Sequence, residues 1–168
     1  MNIGEGSTNT QIENWMRNNF KGNFLGCFWA DTLPELIPSN SNLIVNYSDR
    51  GEDGGTHWVG MGNLNSTSGQ SFYFDSFGHK PDKMDGILNK KTKFLEYIRR
   101  HSPNGRFRWN GENIQSKNAD TCGHYACYAI KQQCVPHQKQ YNDPWEPFYS
   151  PFTTQAENDI RIRNLVRL

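Results

Sequence analysis

The chain has 168 residues and a formal net charge of +1, with 18 Lys and Arg against 17 Asp and Glu, so bulk charge gives no reason to read it as a nucleic-acid binder. The hydrophobic share is only 35%, but five Trp, seven Tyr and ten Phe supply large rings that can fill a compact interior. That aromatic content excludes a disordered chain, and the length fits one domain over residues 1–168.

Met1 to Thr10 has no basic start, no apolar core and no small-residue cleavage site, so no secretory signal is expected there. No apolar run approaches the roughly 20 residues that span a bilayer. Thr10-Gln-Ile-Glu13 reads as a capping box, with Ile12, Trp15, Met16 and Phe20 at helical spacing behind it. A helix over about 10–20 is therefore predicted. Gly22 and Gly26 suggest a loop around Phe24 and Leu25, and Pro34 and Pro38 flank a further irregular stretch.

Leu43–Tyr47 reads as a buried strand, Asp49–Gly55 as a turn and His57–Met61 as a second strand. The polar segment Asn63–Gly69 then turns into Ser71–Asp75, which forms a hairpin with the second strand. Asp82 is placed to cap a helix over about 83–100, whose apolar face is Met84, Ile87, Leu88, Leu95 and Ile98. Arg106–Trp109 alternates as a half-exposed strand does, and a polar loop over 110–121 leads to a buried helix from Cys122 to Gln133. Four prolines make 134–152 irregular, and Thr154-Gln-Ala-Glu157 opens a last helix. The expected fold class is α+β: a small, mostly antiparallel sheet packed by helices.

Cys27, Cys122, Cys127 and Cys134 do not form a secreted disulfide framework, since three of them crowd into one short stretch. A reducing compartment is the expectation. Cys122 follows a polar loop and opens a helix, where the helix dipole and unpaired backbone N–H groups favour thiolate. Alone it reads more readily as a small buried residue. His57 and Asp75 change that reading. The start of one antiparallel strand lies beside the end of the next, so a hairpin brings imidazole and carboxylate to one sheet edge. Asp75 can then hold one ring nitrogen and leave the other for a thiol. Trp58 places a large ring next to the imidazole, where it can shield it or stack on its cationic form. Gln115, seven residues before Cys122, can donate to a developing oxyanion beside the Cys122 backbone N–H.

Other assignments compete. His124 lies at i+2 from Cys122 and points away from it on a helix. His79 follows the Asp75 segment in a turn. Asp120 would oppose a thiolate if it faced inward, and is expected to face solvent or cap the helix. Cys122, His124, Cys127, Cys134 and His137 could together hold zinc, but they lack paired C-x-x-C spacing, so no metal is assigned. Lys90, Lys91, Lys93, Arg99 and Arg100 form a basic run that could track phosphates, although such a run is more often a solvated helix face.

In this order, Gly54-Gly55-Thr56-His57-Trp58, Phe74-Asp75-Ser76-Phe77-Gly78 and Gln115 ahead of Cys122-Gly123 resemble the adenain-like viral maturation proteases. Phe24-Leu25-Gly26 and Leu43-Ile-Val-Asn46 are similar to the stretch upstream. The resemblance covers about residues 20–135 and extends to the clan of ubiquitin- and SUMO-type isopeptidases. It implies a cysteine endopeptidase with the chain order His57, Asp75, Cys122, and an oxyanion hole at Gln115. It further implies a substrate cleft at Gly55, Trp58 and Gly123, taking Gly-Gly or Gly-X sites in viral precursor polypeptides. An origin in a DNA virus, virophage or mobile element follows, with action as a monomer in the virion and the host-cell interior. The alternatives are an isopeptidase of the same clan and a non-catalytic protein-binding relative. No cofactor is required by the residues, though the resemblance raises DNA or a peptide as an activator. Activation through a cysteine between 79 and 121 is not available, because that stretch has none.

Overall fold

A computed structural model describes residues 6–52, 56–134 and 141–168. Five strands form one sheet in the order β1-β2-β3-β4-β5. These are β1 (Asn23–Trp29), β2 (Ser41–Asn46), β3 (Trp58–Leu64), β4 (Ser71–Phe74) and β5 (Phe107–Trp109). The expected hairpin is its centre: β3 runs antiparallel to β2 and to β4. The outer pairs, β1 with β2 and β4 with β5, are parallel. The fold is α+β, as the residue pattern implies, but the sheet is mixed rather than mostly antiparallel, because the segments between β1 and β2 and between β4 and β5 cross over instead of turning back as hairpins.

Strand alternation sorts the side chains onto two faces. Leu43, Val45, Val59, Met61 and Tyr73 point to one face, where Phe94, Tyr97 and Ile98 of helix α3 (Phe94–Arg100) close over them. Ile44, Trp58, Phe72 and Phe74 point to the other and meet three helices. These are α1 (Asn9–Asn19), α4 (Cys122–Cys134) and α6 (Gln155–Leu165). Trp145 and Phe148, the latter in the short α5 (Glu146–Tyr149), complete that layer within the proline-rich segment.

Several sequence expectations need correction. Phe24 and Leu25 lie in edge strand β1 rather than in a loop; Gly26, at φ +130°, interrupts the register without ending the strand. The capping box of α1 is Thr8 with Gln11, two residues earlier than expected. The motif occurs twice in overlap, and Glu13 is used elsewhere, accepting from the Cys27 N–H at 3.0 Å. The helix expected over 83–100 is two short ones, α2 (Lys83–Leu88) and α3, and Asp82 makes no side-chain cap. Asn89 adopts a left-handed conformation (φ 49°), and Asp85 turns its carboxylate onto Thr92 N and Oγ1, which ends α2. Ile87 and Leu88 are consequently exposed, while Ile98 belongs to the core.

Candidate active site

His57 immediately precedes β3 and Asp75 immediately follows β4. The antiparallel register, Gly60 opposite Phe74, brings both to one edge of the sheet. His57 Nε2 meets Asp75 Oδ1 at 2.7 Å, and both side chains are buried. Asp75 is anchored from several sides. Its Oδ1 also accepts from the Phe77 N–H at 2.8 Å. Asn110 embraces its backbone: Asp75 N donates to Asn110 Oδ1 at 2.9 Å, and Asn110 Nδ2 donates to Asp75 O at 2.7 Å. Gly78 closes the turn at φ +75°, and a Cβ there would lie 2.6 Å from the Glu112 backbone. Only glycine permits that approach.

Burial alone would depress the His57 pKa. The adjacent Asp75 carboxylate, the hydrogen bond to it and the nearby Cys122 outweigh it, raising the value from 6.5 to about 10. The imidazole is thus held in its cationic form near neutral pH. It lies between two rings: Phe77 stacks at 4.8 Å between centroids and Tyr47 at 5.9 Å. Trp58 does not supply this shielding. As the next residue along the strand it projects to the opposite face, is 7% exposed, and donates its indole N–H to Ser7 O at 3.0 Å.

Cys122 opens α4, as expected, and is half-buried. Its sulfur accepts from the Trp58 backbone N–H at 3.5 Å, and Cys122 lies close enough to His57 to help raise the imidazole pKa. With Nε2 taken by Asp75, Nδ1 is the ring nitrogen left for the sulfur. A Cβ on Gly123 would sit 3.0 Å from Ile12 Cδ1 and 3.3 Å from both Ser7 Cβ and Trp58 Cδ1. Gly123 and Trp58 are therefore packed against each other and the N-terminal segment. Gly55, the third residue expected to meet substrate, lies outside the described residues.

Gln115 is 1% exposed. Its Oε1 accepts from Ser76 Oγ at 2.5 Å and its Nε2 donates to Ala119 O at 2.7 Å. A side-chain amide carries two N–H groups, so one remains for another acceptor. The loop carrying Gln115 is tied to the Asp75 turn, because Ile114 N donates to Ser76 O at 2.9 Å. Ser76, the residue after Asp75, thus ties the Gln115 loop to the Asp75 turn through both its side chain and its backbone.

The rival residues fall elsewhere. His124 faces Ser7 Oγ at 3.4 Å; burial, with Arg163 nearby, lowers its pKa to about 4. His79 Nδ1 lies 3.8 Å from Asp75 Oδ2, behind the carboxylate rather than beside the thiol. Asp120 is paired with Arg163 Nη2 at 2.6 Å. All four cysteines are free thiols. Among the described residues no group of three His, Cys, Asp or Glu could hold a metal ion; His137 lies outside them.

The basic run is not one helix face. Lys90 sits between α2 and α3, donating to Tyr47 O at 2.6 Å and pairing with Asp49 (3.0 Å) and Glu52 (3.1 Å). Arg100 pairs with Glu96 one turn away, at 3.5 Å. Lys91, Lys93 and Arg99 are exposed. No helix among the described residues is long and apolar enough to cross a membrane.

Asn110, Ser76, Phe77 and Tyr47 escaped the sequence reading. Ser76 and Phe77 adjoin Asp75 and could have been suspected, but Asn110 and Tyr47 reach the site only through the fold.

Comparison with protein-family models matches residues 24–146 to the adenovirus endoprotease. The α+β fold and this match together define a cysteine protease of the adenain type. The chain belongs to the adenovirus endoprotease family. A search of curated proteins finds no match.

Proposed function

We propose that the protein is a cysteine endopeptidase acting through Cys122, His57 and Asp75, with Gln115 as an oxyanion donor. The observation that carries this reading is the buried His57, which has one nitrogen on Asp75 at 2.7 Å and lies beside Cys122, whose sulfur accepts from the Trp58 N–H at 3.5 Å. His57, cationic at rest, already holds the proton drawn from Cys122, and the resulting thiolate attacks the scissile carbonyl carbon. The carbonyl oxygen gains the negative charge and takes the free N–H of Gln115 and the Cys122 backbone N–H. His57 then protonates the leaving amine as the C–N bond breaks. Water, deprotonated by His57, hydrolyses the thioester and releases the acid product. Asp75 keeps its charge throughout and fixes the ring orientation.

The family description, an adenovirus endoprotease, supports polypeptide substrates cut internally. We extend this to precursor polypeptides cut at Gly-Gly or Gly-X bonds, an assignment that rests on the motif resemblance.

The test is cleavage of quenched peptides carrying Gly-Gly-X and Gly-X bonds, alongside a ubiquitin-type isopeptide conjugate. The protein should cut the peptides and leave the conjugate intact, and Cys122→Ala should remove all activity without loss of fold. Peptidase activity retained by Cys122→Ala would sink the mechanism. Preference for the conjugate would make the protein an isopeptidase instead.

A further inference from the structure

Helix α6 lies beyond the residues that match the family, yet its polar side chains converge on the loop that carries Gln115 and ends at Cys122. Asp159, 6% exposed, collects three donors. Thr121 Oγ1 reaches Oδ1 at 3.0 Å, Tyr125 OH reaches the same oxygen at 2.8 Å, and Ser116 N reaches Oδ2 at 3.2 Å. Asn158 Nδ2 donates to Ile114 O at 3.1 Å, and Arg163 holds Asp120 from one turn further along α6. These bonds take hold of the loop on both sides of Gln115 and at the residue before the thiol. Tyr125, one turn into α4, is drawn to the same carboxylate.

Ile114 is the loop's one core anchor, and the residues that follow it, Gln115 to Thr121, have no apolar stripe to hold them in one conformation. Beyond that anchor the loop's geometry comes from polar partners, and a buried carboxylate can accept several at once. We propose that Asp159 is a positioning residue for catalysis, holding the 114–121 loop so that the Gln115 amide and the Cys122 backbone N–H meet the same oxyanion. This rests on the proposed roles of Cys122 and Gln115. Asp159 touches no reacting atom and acts through the loop. Thr154, whose hydroxyl caps α6 by accepting from Glu157 N, helps set the helix that presents it.

The test separates oxyanion stabilisation from thiol reactivity. A peptide aldehyde captured by the thiol places its hemithioacetal oxygen where the oxyanion forms, whereas iodoacetamide reacts without that site. Asp159→Asn preserves shape and can keep the Thr121 and Tyr125 bonds, but its amide nitrogen opposes the Ser116 N–H, donor against donor. It should bind the aldehyde about tenfold more weakly and lose about 10- to 100-fold in kcat with little change in KM, while Cys122 alkylation by iodoacetamide stays at the wild-type rate. Asp159→Ala should lose more. Should Asp159→Ala fail to fold, the Asp159→Asn measurements still decide the matter. Unchanged aldehyde affinity in a folded Asp159→Asn protein would overturn the proposal. So would a parallel fall in aldehyde binding and alkylation, which marks general loosening. Failure of the wild type to cleave any peptide would instead remove the catalytic reading beneath it.

Discussion

The two halves of the candidate site are held by different physics. His57 and Asp75 are fixed by an antiparallel strand pair, and their meeting is a consequence of register. Gln115 and the approach to Cys122 belong to an irregular loop, which owes its shape to side chains from a distant helix and turn. A register that slips by one residue turns every side chain to the wrong face, so a strand-borne pair is strongly specified. A loop can shift by an ångström without unfolding anything. Substitutions in the first half should therefore remove chemistry outright, whereas those around the second should erode it by degrees.

The largest expected effect after loss of the thiol is at His57. His57→Ala should lower kcat/KM on the order of 10⁴-fold or more, because proton removal from the thiol and proton delivery to the leaving amine are both lost. Iodoacetamide should also alkylate Cys122 more slowly near neutral pH. Equal alkylation rates in the variant and the wild type would show that His57 is not the thiol's partner. Gln115→Ala should be milder, on the order of 10²–10³-fold in kcat with KM less affected and alkylation unchanged. A loss confined to KM would show that the amide binds substrate rather than the oxyanion.

This division also explains how much was legible from the residues alone. The β2–β3–β4 centre and the edge shared by His57 and Asp75 follow from strand-type apolar runs and the turn residues between them, and helix α4 with Cys122 at its start from a dense run of small and aromatic residues behind a polar loop. Those are local signals with a global consequence. Phe77 and Tyr47, rather than Trp58, flank His57 because the fold decides which aromatic residue from another segment arrives there. Asn110 and Asp159 are ordinary polar residues until the chain brings them against Asp75 and the 114–121 loop. The split of 83–100 into two helices was hidden for a similar reason: Asp85 and Thr92 prefer each other to the continued helix ladder. The basic residues read as one patch only while they shared one helix, and Lys90 in fact spends its charge on Asp49 and Glu52.

The smallest effect is one of stability, and it isolates the strand-borne half without any substrate. The His57 pKa is raised from 6.5 to about 10 in the folded protein, so between those values the native state binds more protons than the unfolded chain. Stability then falls as pH rises. The contribution of the His57–Asp75 pair is fully present below about pH 6.5 and disappears as pH passes through about 10. Removing the titrating ring with His57→Gln should flatten this part of the curve. Other thiols, tyrosines and lysines titrate in both proteins, so the informative quantity is the wild-type Tm minus that of His57→Gln, measured from pH 6 to pH 10. That difference should shrink by several degrees across the window, since about 1 kcal/mol moves Tm by roughly 2–4 °C in a chain of this size. A difference that is constant with pH would mean the ring gains no protonation energy from Asp75, and the sheet edge would then align the pair without polarising it.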